Sequence, residues 1–282
     1  MNAEATVVLI TGCSTGLGRE LALTALAKGL RVIATARRPE TLEALKEKGA
    51  KTLQLDVTAS PDKLNAFATE AISVFGQVDT LINNAGFLQG GAVEENTPEE
   101  NLAQFDTNFF GVVNVTSAFL PHFRERRQGT IVNISSQASG LCAPGAGIYC
   151  ASKAAVEAIS DTWARELAGF SIRAISIQLG AFRTSVAESG NLKIAARRIE
   201  SDVYRGAHDW VVGFNARAGK ERGDTRIAAE RLVDLVACDP KRALPMRLAL
   251  GDDAYETMTS FHTKQLEDLE AWKAVTTGTD VV

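Results

Sequence analysis

The sequence predicts an α/β fold, a doubly wound parallel sheet with helices on both faces, and three observations carry that expectation. Short runs of apolar residues alternate with amphipathic helical stretches along the chain. The runs are apolar throughout, as strands covered on both faces should be. Three glycines also stand between the first run and the helical pattern after it, in "LITGCSTGLGRE" (9–20).

"TVVLIT" (6–11) reads as the first strand, followed by a helix that ends at Gly29. "RVIATA" (31–36) is the second strand, with "PETLEALKEKG" helical behind it. "KTLQLD" (51–56) precedes the helix "PDKLNAFATEAISVFG", where Pro61 suits a first helical turn. "VDTLIN" (78–83) leads to a long helical segment over 98–127, and "GTIVNIS" (129–135) to a helix over 149–168. "SIRAISIQ" (171–178) and "MRLALG" (246–251) are the last strands. The stretch 185–226 is charged, glycine-containing and weakly periodic, and reads as a mobile substrate-loop excursion; the tail beyond 276 reads as frayed.

At 282 residues and 45% hydrophobic content the chain suits one large dinucleotide-binding and catalytic domain over 1–282. Its apolar stretches fall short of the roughly 18 residues of a membrane helix, and "MNAEATVVLITG" lacks a basic leader, so a soluble cytoplasmic protein is expected. A net charge of −4 with scattered Lys and Arg excludes an electrostatic footprint for nucleic acid and points to small-molecule partners. Cys13, Cys142, Cys150 and Cys238 form no CxxC pair and have no His at ligand spacing, so they read as reduced thiols with no metal site.

Gly12, Gly16 and Gly18 permit a tight turn and leave no side chain between a helix N-terminus and an incoming anion, as a pyrophosphate requires. In "YCASK", Tyr149 and Lys153 are four residues apart and so share one helix face. A phenol with a pKa of roughly 10 is a poor base at neutral pH, and an adjacent ammonium favours its ionised form. Ser136, at the end of the 129–135 strand, borders the same crevice.

Together these features resemble the short-chain dehydrogenase/reductase family over about 5–255. "TGCSTGLG" (11–18) matches its T-G-x3-G-x-G turn, "NNAG" (83–86) the motif after its fourth strand, and "YCASK" its Y-x3-K. Ser136 stands at the family's distance from Tyr149, and "TNFFG" supplies Asn108. The resemblance implies a Rossmann-type fold in which Tyr149 is the proton donor or acceptor and Lys153 lowers its pKa and bonds the nicotinamide ribose. It further implies that Ser136 holds the substrate oxygen, with Ser135 turned to the other side, and that Asn108 holds a water leading to Lys153. Gly12, Ser14, Thr15, Gly16, Leu17 and Gly18 would form the cofactor turn. Asp56 and Val57 would meet the adenine, and Asn83, Ala85 and Gly86 the adenosine side.

Cofactor choice follows from the end of the second strand, "TARRPE". Arg37 and Arg38 suit the 2'-phosphate of NADP(H), and no carboxylate precedes them. In "QLGAFRT" (178–184), Gly180 and Thr184 stand where the family contacts the carboxamide, but Leu179 replaces its usual proline. The expected crevice residues Phe87, Leu88, Gln137, Leu141, Cys142, Ala143, Pro144, Phe182 and Val186 are mostly apolar, with His208, Trp210, Val211 and Phe214 as lid candidates. They suit a hydrophobic ketone or secondary alcohol of steroid, retinoid, terpenoid or polyketide type. Apolar residues on several faces of 98–127 and 149–168 suggest a homodimer or homotetramer. A non-catalytic dinucleotide sensor and a sugar-nucleotide epimerase or dehydratase remain alternative functions of such a pattern.

Overall fold

Apolar strands with branched side chains pair into extended sheet, and the computed structural model contains nine of them among its described residues, 5–183, 191–197, 199, 202–237 and 242–280. They are β1 (Val7–Ile10), β2 (Arg31–Ala36), β3 (Lys51–Gln54), β4 (Thr80–Asn83), β5 (Leu88–Gly90), β6 (Gly129–Ile134), β7 (Ile172–Leu179), β8 (Leu192–Ile194) and β9 (Arg247–Leu250). Seven form one parallel sheet in the order β3-β2-β1-β4-β6-β7-β9, a Rossmann-type arrangement, while β5 and β8 pair separately. The helices are α1 (Gly16–Ala27), α2 (Glu43–Glu47), α3 (Pro61–Phe75), α4 (Pro98–Phe105), α5 (Gly111–Arg126), α6 (Ala138–Leu141), α7 (Gly147–Glu166), α8 (Arg205–Ala216), α9 (Thr225–Val236), α10 (Asp252–Ala271) and α11 (Lys273–Thr276).

Register sorts the core into two layers, because neighbouring strand residues face opposite sides. Ala34, Ile10, Ile82, Val132 and Ile175 align across five strands and pack on Leu21 of α1 and Leu232 and Val233 of α9. The next row, Ile33, Leu9, Leu81, Ile131 and Ala174, faces Phe67 of α3, Phe119 and Phe123 of α5, and Trp163 of α7. Helix ends are set locally. Thr97 and Glu100 form a reciprocal capping box at α4, and Asp224 Oδ1 accepts from Arg226 N and Ile227 N at α9.

Several segments differ from the sequence reading. The 39–49 helix is a 3₁₀ turn, Pro39–Leu42, followed by the short α2. The 98–127 segment is divided by one π-helical turn, Asp106–Phe110, a feature often found beside functional sites. The 185–226 excursion contains β8 and α8, and β8 is held in register on β5. Beyond β9, the sequence pattern gave no helix. There α10 buries Ala254 and Met258 near its start, whereas Leu266, Leu269, Trp272 and Val275 are exposed, so no core-facing stripe marks it.

Strand order reverses at β1 and β4, so the loops beyond their carboxyl ends diverge around a crevice. Cys13, Cys142 and Cys150 are free thiols, while Cys238 lies outside the described residues. Among the described residues no His, Cys, Asp and Glu cluster could hold a metal, and no helix is long and apolar enough to cross a membrane.

Candidate active site

The loops after β1 and β4 touch because glycine removes the atoms that would separate them. Gly12 has φ +73°, and a Cβ there would come within 2.9 Å of Ala85 Cα. A Cβ at Gly18 would overlap Asn84 Nδ2 and Gly12 O. In the space so kept, Asn84 Nδ2 donates to Thr11 O (2.9 Å) and Gly12 O (3.0 Å). Thr11 Oγ1 accepts from Asn84 N and Ala85 N. α1 starts at Gly16 with no side-chain cap from Thr15, so its first N–H groups remain available to an anion.

This turn borders a cleft of about 1060 Å³. Gly12, Ser14, Thr15, Gly16 and Leu17 line it, while Gly18 packs against Asn84 and Gly12 without lining it. Arg37, Asp56, Val57, Ala85 and Gly86 line the same cleft, as do Ser136, Tyr149, Lys153 and Gly180. Three further candidates lie off the cleft. Asn83 is buried in the sheet, where Nδ2 donates to Thr116 Oγ1 (2.9 Å) and Asn133 Oδ1 (2.8 Å); Asn84 takes the cleft position instead. Arg38 is exposed beside the cleft, its carbonyl oxygen accepting from Thr41 N and Oγ1. Asn108 is fully buried in the π-helical turn, its Oδ1 accepting from Phe87 N (3.0 Å) and its Nδ2 donating to Phe87 O (2.9 Å). Its side chain thus braces the loop after β4. Thr184 and Val186 lie outside the described residues.

α7 carries Tyr149 and Lys153 on one face, toward the end of β6. Ser136 Oγ accepts from Ala138 N (3.1 Å) and hydrogen-bonds the Tyr149 hydroxyl. Ser135 turns the opposite way, donating to Glu157 Oε1 (2.7 Å) and, more loosely, to Lys153 O (3.2 Å). Burial pushes the Tyr149 phenol up to about 12, against the opposing effect of the Ser136 bond. Burial also brings the Lys153 ammonium down to about 8, opposed by the Glu157 carboxylate. Lys153 Nζ donates to Ile134 O (2.7 Å) and lies 5.8 Å from the centroid of the Tyr149 ring.

Part of the lining is apolar and aromatic. Phe87, Leu88, Leu141 and Phe182 reach the cleft, as does the polar Gln137, whereas Cys142, Ala143 and Pro144 do not. Trp210 and Phe214 of α8 stack at 5.3 Å between centroids and also line it, as do the charged Lys193, Arg217 and Lys220. Of the other lid candidates, His208 bonds Glu95 Oε1 (2.8 Å) and Val211 is buried against Gly90 and Gly145.

Sequence reasoning missed Asn84, Glu157 and Asp253. Asn84 adjoins the residue chosen in the same motif, and Glu157 continues the four-residue spacing of Tyr149 and Lys153. Asp253 comes from α10, and nothing in the pattern marked it.

A family model described as short chain dehydrogenase matches residues 6–194. The chain is 41% identical over 187 residues to a 3-ketodihydrosphingosine reductase of Bacteroides thetaiotaomicron, across 66% of this chain and 67% of that protein. It is 36% identical over 280 residues to an uncharacterized oxidoreductase of Schizosaccharomyces pombe, across 99% of this chain and 93% of that one. A crystal structure of a short-chain dehydrogenase from Streptomyces avermitilis superposes with a TM-score of 0.88 at 36% identity, covering 99% of this chain and all of that one.

Proposed function

The chain belongs to the short-chain dehydrogenase family and is an oxidoreductase acting on CH–OH or carbonyl groups; from that premise we propose that it uses NADP(H) and a hydrophobic ketone or secondary alcohol. The single observation behind this reading is the joining, in one cleft, of a side-chain-free helix N-terminus and the Ser136–Tyr149–Lys153 group. The residues fit a nicotinamide dinucleotide, because a Cβ at Gly12 or Gly18 would fill the cradle that its pyrophosphate needs. Arg37 lines the cleft with an exposed guanidinium after Ala36, which supports a 2'-phosphate over a free ribose diol.

When bound, the nicotinamide supplies or accepts a hydride at the substrate carbon. Tyr149 carries its proton at neutral pH, as a phenol does, and hydrogen-bonded to Ser136 it is placed to donate that proton to the carbonyl oxygen during reduction. Ser136, oriented by Ala138 N, holds that oxygen beside the phenol. Lys153 keeps a positive charge near the developing alkoxide, and Asn108 acts as a brace for the loop that carries Gly86. Phe87, Leu141, Trp210 and Phe214 exclude water from an apolar substrate body.

The Bacteroides relative is named for a 3-keto sphingoid base, so ketones with long apolar chains lead the substrate screen, followed by steroid, retinoid, terpenoid and polyketide ketones. A cytoplasmic homo-oligomer completes the reading, supported by the exposed Leu102 and Phe110 on the segment 98–126. The test is turnover of that ketone set with NADPH and NADH, in wild type and Tyr149→Phe. We predict that the variant loses about 10²-fold or more in turnover while still binding the cofactor. Near-full activity in Tyr149→Phe overturns the mechanism.

A further inference from the structure

We infer that Asp253 is a positioning residue of the active site, its carboxylate clamping the Gly180–Ala181 turn to Gln137 and so fixing the wall at the nicotinamide end of the cleft. The inference rests on the cofactor reading above. Asp253 stands in the first turn of α10, beyond the residues 6–194 that the family model matches. Its Oδ2 accepts from Ala181 N (2.7 Å) and from Gln137 Nε2 (2.7 Å), joining segments 72 and 116 residues away. Charge-assisted bonds of this length are among the stronger ones.

The surroundings are built around that carboxylate. A Cβ at Gly180 would overlap it, lying 2.9 Å from Asp253 Cγ, and a Cβ at Gly251, where φ is +114°, would lie 2.9 Å from Oδ1. The carboxylate is committed to residues of other segments, Ala181 and Gln137, and not to its own helix. The two clamped segments matter to the site. Gln137 follows Ser136 directly, and Gly180 and Ala181 line the cleft. Two backbone bonds, Gln137 N to Leu179 O (3.0 Å) and Gly180 N to Leu250 O (2.9 Å), complete the joint.

Leu179 gives this joint its purpose. A proline at that position would restrain the turn by its ring, whereas Leu179 ends β7 against Leu250 and adds no ring restraint of its own to the turn that follows. The carboxylate of Asp253 supplies the missing restraint from outside the turn.

The test compares NADP+ with 2'-phospho-ADP-ribose, which keeps the adenine and ribose ends but lacks nicotinamide, by calorimetric binding to wild type, Asp253→Asn and Asp253→Ala. Asp253→Ala should weaken NADP+ about tenfold and leave the fragment unchanged, as loss of charge-assisted positioning bonds implies. Asp253→Asn retains one oxygen able to accept both bonds and should stay within about threefold of wild type. Gly180→Ala displaces the carboxylate without removing it and should reproduce the selective loss, which covers the case of an Asp253→Ala protein that does not fold. Equal weakening of both probes, or unchanged NADP+ binding in Asp253→Ala and Gly180→Ala, overturns the inference. Wild type that binds neither NADP+ nor NAD+ overturns the cofactor reading itself, and this inference with it.

Discussion

Replacing Gly18 by Ala tests the geometry at the glycine turn, because helix propensity and local packing predict opposite signs. Gly18 lies in the first turn of α1, where the interior preference for Ala over Gly, about 1 kcal/mol, is an upper bound on what helix propensity returns. At this position the new Cβ would overlap Asn84 Nδ2 and Gly12 O and lie 3.0 Å from Gly12 C. Relief requires Asn84 to leave its bonds to Thr11 O (2.9 Å) and Gly12 O (3.0 Å), at about 1 kcal/mol each. Pushing the loop backbone apart adds roughly 1–3 kcal/mol of overpacking. After the propensity gain is deducted, we predict a net destabilisation of about 2–4 kcal/mol. Urea unfolding of wild type and Gly18→Ala, analysed with a common slope, reads this difference directly. Equal or greater stability in the variant would refute the close approach of the β1 and β4 loops.

Two further predictions concern charge. Arg37→Ala should weaken NADPH by roughly tenfold or more and leave NADH nearly unchanged, while Arg38→Ala should have the smaller effect because only Arg37 lines the cleft. Titrations of each variant with both nucleotides check this, and equal loss of the two would return the arginines to a structural role. The second prediction is a stability rise between pH 8 and pH 10, read as wild type minus Lys153→Met, because the buried Cys13 thiol, raised to about 12, acts in the opposite sense over the same range in both proteins. Lys153 has its folded pKa lowered to about 8, so through that window the unfolded chain still binds the proton that the folded chain has released. The gain should be roughly 2 kcal/mol and absent from Lys153→Met. Above pH 10 the sign reverses in both proteins, since folded Tyr149, raised to about 12, keeps a proton that the unfolded chain loses. Denaturation curves of wild type and Lys153→Met at pH 7.5, 9 and 10 check it, and a difference between the two that does not change with pH would contradict the burial of Lys153.

The parallel sheet was legible because each central strand is apolar on both faces, and the register turns that into the rows led by Ile10 and Leu9. The glycine turn and the Ser136–Tyr149–Lys153 group were legible because their residue types and spacing are themselves the requirement. Asn83 and Asn84 were not separable, since adjacent amides differ only in which side of the chain they leave. β4 turns the first into the sheet, and the loop turns the second onto the glycines. α10 escaped because most of its length faces solvent, and helix periodicity is visible only where a core demands it.

The burial of Lys153 raises a question of electrostatics that α7 answers by continuing its own spacing. Tyr149, Lys153, Glu157 and Asp161 recur every four residues and so follow one face of the helix. Lys153 and Glu157 are both buried, and a carboxylate so placed costs several kcal/mol unless its oxygens are bonded. Here each is. Glu157 Oε1 accepts from Ser135 Oγ, and Oε2 accepts from Gln178 Nε2 (3.0 Å) and Arg247 Nη1 (2.9 Å). Arg247, on the edge strand β9, also bonds Asp161 Oδ2 through Nε and Nη2 (3.0 and 2.8 Å). The Glu157 carboxylate, bonded in this way, opposes the loss of the Lys153 proton, against the burial that lowers its pKa. The same bonds explain the division between the two serines. The Ser135 hydroxyl is committed to Glu157, whereas the Ser136 hydroxyl bonds Tyr149. An edge strand more than ninety residues along the chain thereby supports the charge beside the proton donor, a dependence that residue spacing on α7 alone could not express.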